Sequence, residues 1–195
     1  MARYTGPVLK RCRALDISPA ELGYDKESNR QPKRNNRKMS EYGRQLREKQ
    51  KAKFIYGTLE KQFRIYFARA QKMQGMTGTN LMVLLETRLD NVVFRLGFGR
   101  TRKEARQLVL HNHFTVNGKK VNIPSYRLKA GDVVEIREKT LETELMKTIL
   151  DVCSTRVTPV WLDKDNAKGT VTRLPLREDI DTPIEESLIV ELYSK

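Results

Sequence analysis

The chain has 195 residues, enough for one domain or two small ones around a real apolar core. Its 38 Lys and Arg against 24 Asp and Glu give a formal charge of +14, which calls for a polyanionic partner, nucleic acid first and an acidic membrane surface second. Apolar runs such as Leu81–Leu85 are too short to span a bilayer, and MARYTGPVLKR lacks the apolar core of a secretory signal; two cysteines and two histidines are too few for a metal centre, so Cys12 and Cys153 read as reduced thiols of a cytoplasmic protein.

Charge is segregated. Residues 1–72 hold 19 basic and 7 acidic side chains, residues 73–150 hold 13 and 8, and residues 151–195 hold 6 and 9. The polyanion is therefore expected on the first two-thirds. The acidic end, with Glu178, Asp179, Asp181, Glu185 and Glu186, is expected to abut another protein, although acids at a helix start also complement its dipole.

The opening forty residues read as irregular. Arg3, Tyr4, Lys10, Arg11 and Arg13 form one basic cluster, and QPKRNNRK adds Lys33, Arg34, Arg37 and Lys38 without an apolar residue, a segment expected to become ordered once its charge is neutralised. Ser40 is placed to cap a helix to about Ile55, stopped by Gly57. That helix is mostly polar and carries Tyr42, Arg44, Arg47, Lys49, Lys51 and Lys53, so its polar face needs a partner. A second helix is predicted from Thr58 to Met73, with Leu59, Phe63, Tyr66, Phe67 and Ala70 as one packing stripe. TGTN at 77–80 reads as a turn and cap, after which Leu81, Leu85, Leu89, Val92 and Leu96 keep helical spacing up to a stop at Gly97.

Thr101-Arg-Lys-Glu104 is a capping box for a helix that buries Ala105, Leu108 and Val109 and turns Arg102, Lys103, Arg106 and Gln107 outward together. Asn112 ends it. Phe114–Val116 and Val121–Ile123 flank Asn117-Gly118, a strong hairpin signal, and VVEIR at 133–137 makes a third strand. A helical stretch near 140–150 precedes short Val/Thr-rich runs broken by Pro and Gly. Thr182-Pro-Ile-Glu185 is a second capping box, opening a final helix with Ile184, Leu188, Ile189 and Leu192 along one side.

Arg100, Arg102, Lys103 and Arg106 flank or lie on one helix, and Lys119 and Lys120 protrude from the next hairpin; Arg88 joins this set. Because both elements share a core, their cations are expected on one rigid L-shaped surface matched to the phosphates of a folded RNA, with His111 and Asn117 adding hydrogen bonds. A merely solvated face is the plainer alternative, but within 100–120 only Glu104 is acidic. His111 and His113 have no nucleophile or acidic orienter nearby, and no Gly-rich phosphate loop, GxSxG or HExxH occurs. Neither catalysis nor a cofactor is expected. Asp90 reads as structural, pairing with a local base, and the lone Trp161 as core.

LETRLDNVVFRLGF and RKEARQLVLHNHFTVNGKKVNIPSYRLKAGDVV closely resemble the RNA-binding module named after small-subunit ribosomal protein S-four, which several protein classes share. MARYTGPVLKRCR, SEYGRQLREKQKAKFIYGTLEKQF and PIEESLIVELYSK extend the likeness over essentially the whole chain, to the bacterial-type S-four family. The resemblance implies an α+β fold: a helical N-terminal domain over 1–86, the module of two helices and a small antiparallel sheet over 87–150, and short strands with a C-terminal helix returning to the N-terminal domain over 151–195. It implies ribosomal RNA as the partner, with early assembly of the subunit body, decoding accuracy through neighbouring protein five, and proximity of Arg44 and Arg47 to incoming messenger. Many relatives carry a zinc-binding cysteine cluster near the N-terminus; with only Cys12 there, a zinc-free variant is implied. An RNA-modifying synthase using this module would need a large catalytic domain that the 45 residues after 150 do not supply. A free-standing RNA-binding regulator is the other alternative.

Overall fold

The structure, a computed structural model, describes residues 4–26, 29–30 and 39–194, so Arg3, Lys33, Arg34, Arg37 and Lys38 of the expected basic segment lie outside the described residues. Among these, in chain order, run α1 (Val8–Leu15), α2 (Glu41–Ile55), α3 (Glu60–Gln71), α4 (Thr77–Glu86), α5 (Leu89–Arg95), α6 (Arg102–Leu110), β1 (Phe114–Val116), β2 (Lys119–Lys120), β3 (Val133–Ile136), α7 (Glu138–Leu141), α8 (Glu144–Val152), β4 (Leu162–Asp165), β5 (Lys168–Val171) and α9 (Glu186–Ser194). Two compact units result: residues 1–82 with 181–195, and residues 83–180. No helix among the described residues is long and apolar enough to cross a membrane.

The first unit is helical. The opening segment, expected to be irregular, contains α1, which starts after Pro7, buries Cys12 and Leu15, and ends at a left-handed Asp16 whose N–H donates to the Cys12 carbonyl. Ser40 caps α2 as expected, its Oγ accepting from Gly43 N at 3.2 Å. On α3 the residues Phe63, Tyr66, Phe67 and Ala70 are buried, but Leu59 precedes the helix and is 41% exposed. TGTN is no turn; it is the first turn of α4, and the Asn80 amide reaches back to the carbonyls of Ala70 in α3 and of Met73 and Gln74 just beyond it. The C-terminal helix α9 packs against α2, where Gln45 Nε2 donates to Glu191 at 3.0 Å and Glu48 accepts from Glu185 N at 3.2 Å. Thr182 does not cap it. The helix begins four residues later, and the buried Thr182 hydroxyl shares a 3.4 Å hydrogen bond with Tyr56.

The second unit packs helices on one antiparallel sheet with strand order β2-β1-β3-β5-β4. The segment after 150, expected as short Val/Thr-rich runs, thus supplies β5, which pairs with β3, and β4, which forms the edge beyond it. The helix expected from Leu81 to Leu96 breaks at Thr87 and Arg88 because the next amides are claimed elsewhere: Leu89 N donates to Tyr126 O at 2.9 Å and Asp90 N to Pro124 O at 3.1 Å. Gly97, with φ of 73°, then ends α5 as expected. Gly169 on β5 is required by packing, since a Cβ there would collide with Leu96 Cδ1. Leu89, Val92, Val93, Phe98, Phe114, Val134 and Trp161 fill the core between helices and sheet.

Candidate nucleic-acid interface

The cations of the second unit sort into those the fold uses and those it presents. Arg88, 4% exposed, grips Asp90 with a two-pronged fork, Nε to Oδ1 at 2.9 Å and Nη2 to Oδ2 at 2.6 Å, and Arg106 adds a third bond at 3.1 Å. Asp90 is structural, as its sequence predicted. The quartet expected to point outward is corrected at Arg102, which is 8% exposed, donates to Asn91 Oδ1 at 2.8 Å and lies 4.3 Å from the Phe94 ring centroid. Asn91 in turn donates to Glu86 Oε2 at 2.6 Å, and Arg95 closes the network on the same carboxylate. Arg106 is largely covered beside Asp90, leaving Lys103 and Gln107 as the exposed members of the quartet.

Arg100 is exposed but engaged: its guanidinium and its backbone N–H both bond Glu104. Burial pushes the Glu104 carboxyl up, yet these hydrogen bonds outweigh it and hold the group below the usual carboxylate range. Glu104 therefore orients Arg100 besides accompanying the Thr101 cap, whose Oγ1 accepts from Glu104 N at 3.1 Å. Arg156, not singled out from the sequence, donates to the carbonyls of Phe94, Gly99 and Arg100 and so fixes this loop. No local signal marks it, because its acceptors lie more than fifty residues away.

The hairpin turns as Asn117-Gly118 requires, with φ of 49° and 74°. The Asn117 side chain is occupied by the fold: Nδ2 donates to Asp132 Oδ1 at 2.9 Å, and Oδ1 accepts from Val133 N at 2.9 Å. The second oxygen of Asp132 accepts from Lys129 N at 2.7 Å, so one carboxylate clamps the turn to the loop before β3. Lys119 and Lys120 are exposed on β2, which is shorter and earlier than the expected Val121–Ile123 strand. Arg127 and Lys129 are exposed on the clamped loop, on either side of buried Leu128. No expectation from the sequence covers these two, although an alternating basic–apolar–basic triplet is the signal for them. His111 is exposed, its ring centroid 6.3 Å from that of His113 and nearly parallel to it. Burial, with His111 and Arg137 adding positive charge, holds the His113 imidazole below its usual range.

In the first unit α2 keeps few of its cations available. Lys49 and Lys53 donate to Glu60 at 3.1 and 2.8 Å, Lys51 pairs with Glu48 at 2.7 Å, and Arg47 lies 3.7 Å from Asp16. Arg44 and Tyr42 remain exposed. On and beside α1, Lys10 is exposed, Arg11 donates to Gln50 at 3.3 Å, Arg13 is half-buried, and Tyr4 sets its ring edge against Phe54 at 5.6 Å. Glu60 is the hub, also accepting from Arg64 and from the Tyr193 hydroxyl at 3.0 Å. Desolvation opposes its charge, but hydrogen bonds from Lys53, Lys49 and Tyr193 hold its carboxyl at about 2.

The acidic residues divide between the units. Glu178 is exposed, while Asp179 is taken by Arg173 at 2.6 Å and by Leu176 N. Asp181 and Glu185 are exposed, and Glu186 is half-buried, its side chain set where a Cβ on Gly78 would fall. Both cysteines are free and buried, and no group of three or more His, Cys, Asp or Glu among the described residues is arranged to hold a metal.

A model described as the S4 domain matches residues 87–134, and one described as the ribosomal protein S4/S9 N-terminal domain matches residues 3–86. Proteins called small ribosomal subunit protein uS4 match along the full length: that of Agathobacter rectalis is 64% identical over 191 residues, 97% of each chain. Those of Lachnospira eligens and Lachnoclostridium phytofermentans are 61% and 60% identical over 100% of each chain. With both halves matched and identity sustained from end to end, the chain belongs to the uS4 family.

Proposed function

We infer that this protein is a structural constituent of the small ribosomal subunit that binds ribosomal RNA and catalyses nothing. The carrying observation is the rigid hairpin and loop locked together by Asp132, which expose Lys119, Lys120, Arg127 and Lys129. Fixed cations on a stiff backbone suit phosphates held at fixed positions in a folded RNA, and buried Arg88 and Arg102 with the largely covered Arg106 supply the rigidity. Binding early in assembly then organises the subunit body. Its partners are the RNA, neighbouring protein five and messenger RNA where it enters the subunit, near Arg44 and Arg47; through protein five it influences decoding accuracy. Its place is the ribosome in the cytoplasm.

A filter-binding series with small-subunit RNA tests this. Affinity falls steeply as salt rises, and the double variant K119A/K120A lowers the slope of log affinity against log salt by about 2, near 1 for each phosphate no longer neutralised. Its melting temperature stays that of the wild type. A flat salt response of the wild type removes the reading. Assembly is checked by omitting the protein from subunit reconstitution: later-binding proteins fail to join, and accuracy is read with a misreading reporter in the variants.

A further inference from the structure

We propose that Asn117-Gly118 is a self-modification site, where asparagine converts through a cyclic imide to aspartate and isoaspartate, and that Asp132 is the guard that sets the rate. It is the only Asn-Gly step in the chain. Asn117 and Gly118 are both exposed, and nothing lies within 4 Å of the point where a Cβ on Gly118 would fall. Water and a rearranging backbone therefore have room. Glycine matters because, without a side chain, its main-chain nitrogen is unhindered as a nucleophile. In the reaction Gly118 N loses its proton and bonds Asn117 Cγ, the Cγ–Nδ2 bond breaks, and ammonia leaves with that proton. Water then opens the imide. Cleavage at Cγ gives aspartate; cleavage at the main-chain carbonyl gives isoaspartate, with the chain rerouted through Cβ and Cγ. One water is consumed, one ammonia is released, and no oxidant or reductant takes part.

What separates this turn from a bare Asn-Gly step is how firmly its amide is held. Asn117 Nδ2 donates to Asp132 Oδ1 and its Oδ1 accepts from Val133 N, both at 2.9 Å, while its main-chain N–H donates to Val133 O at 2.9 Å. The side chain must release the first two bonds before its carbonyl carbon can turn onto Gly118 N. The guard is itself anchored. Asp132 Oδ2 accepts from Lys129 N at 2.7 Å, its carbonyl accepts from Val171 N at 2.9 Å, and Gly131 N donates to Val171 O at 2.7 Å. The modification therefore proceeds through the fraction of molecules in which this corner of the sheet is open. Its product does not close again, because a carboxylate replaces the amide donor and meets the Asp132 carboxylate, like charge against like. Ageing thus loosens the hairpin that carries Lys119 and Lys120. That consequence rests on the RNA-binding reading above, whereas the chemistry does not.

The test incubates the full-length protein without RNA at mildly alkaline pH. Conversion is followed by peptide mass spectrometry, with an isoaspartate-specific methyltransferase as the probe for the rerouted product. Asn112, in the same tryptic peptide and also left-handed at φ of 61°, precedes His113 and serves as the internal control. Wild type is expected to convert slowly at Asn117 and not at Asn112. D132A is expected to react roughly 10- to 100-fold faster, the weight of one charge-assisted hydrogen bond read as a rate. D132N, which keeps an acceptor for the Asn117 amide but loses the carboxylate, falls between them. Wild type unfolded in urea marks the unguarded limit; should D132A fail to fold and react at that limit, D132N carries the comparison. A wild type as fast folded as in urea, or aspartate variants no faster than wild type, overturns the guard. Conversion at Asn112 as fast as at Asn117 in the folded proteins, or none at Asn117 even in urea, overturns the site. A wild type without salt-dependent RNA binding removes the parent reading and leaves these rates untouched.

Discussion

The two compact units handle positive charge differently. In the second, Arg88, Arg102 and Arg106 lie against acceptors shaped for them, a carboxylate fork and an amide oxygen, inside a covered network. In the first, Lys49, Lys53 and Arg64 crowd around Glu60, which is about one-third exposed. A planar guanidinium fork satisfies several acceptors at once, whereas the ammonium groups of Lys49 and Lys53 share one partly exposed counter-charge. A basic chain therefore contains two populations of cation, one that holds the fold rigid and one left over for the partner.

The sharpest way to break that contrast is Asp90→Ala. It leaves Arg88 buried without the carboxylate that its fork grips and is expected to destabilise by about 3–5 kcal/mol, read by urea or thermal unfolding. A loss below about 1 kcal/mol would place Arg88 with the dispensable surface pairs. Arg102→Ala comes next, at about 1.5–3 kcal/mol, because Asn91 loses a charged donor and Phe94 keeps only Arg156 of the two guanidinium groups over its ring. Replacing Arg102 and Arg106 together is therefore expected to lower stability as well as RNA binding, where the sequence alone suggested binding only.

The smallest effect is expected at Glu60→Gln, no more than about 1 kcal/mol at neutral pH, since screening weakens a partly exposed cluster. Its pH dependence sharpens the comparison. The Glu60 carboxyl is held at about 2 against an ordinary 4.5, so its contribution is complete above pH 4.5 and lost as pH falls toward 2. The stability gap between wild type and E60Q should be level from neutral pH down to about 4.5 and then close, as followed by thermal melts. A gap that widens on acidification would contradict the assignment.

Local signals were legible in the sequence: the Ser40 and Thr101 caps, the stop at Gly97, the Asn117-Gly118 turn and the buried stripe of α3 all depend on neighbours a few residues away. What was not legible depends on distant partners. The break before α5 is imposed by carbonyls at 124 and 126, and Thr182 is drawn to Tyr56 instead of capping its own helix. Arg102 looked outward because its spacing places it with Lys103 and Arg106; nothing in helical periodicity announces that Asn91 and Phe94 will receive it. Lys119 and Lys120 are exposed, as expected of a hairpin end, and so are Arg127 and Lys129, whose loop has no regular element to predict.

The five-stranded sheet also has two outer strands to protect. One is a pair of lysines, β2, and the other reads Leu-Asp-Lys-Asp, β4. Short, charged margins discourage a neighbouring chain from adding its own strand, which matters most for a newly made molecule still waiting for its RNA. The lysines at 119 and 120 thus guard against self-association, and exchanging them for valine would foster clumping even where folding is intact.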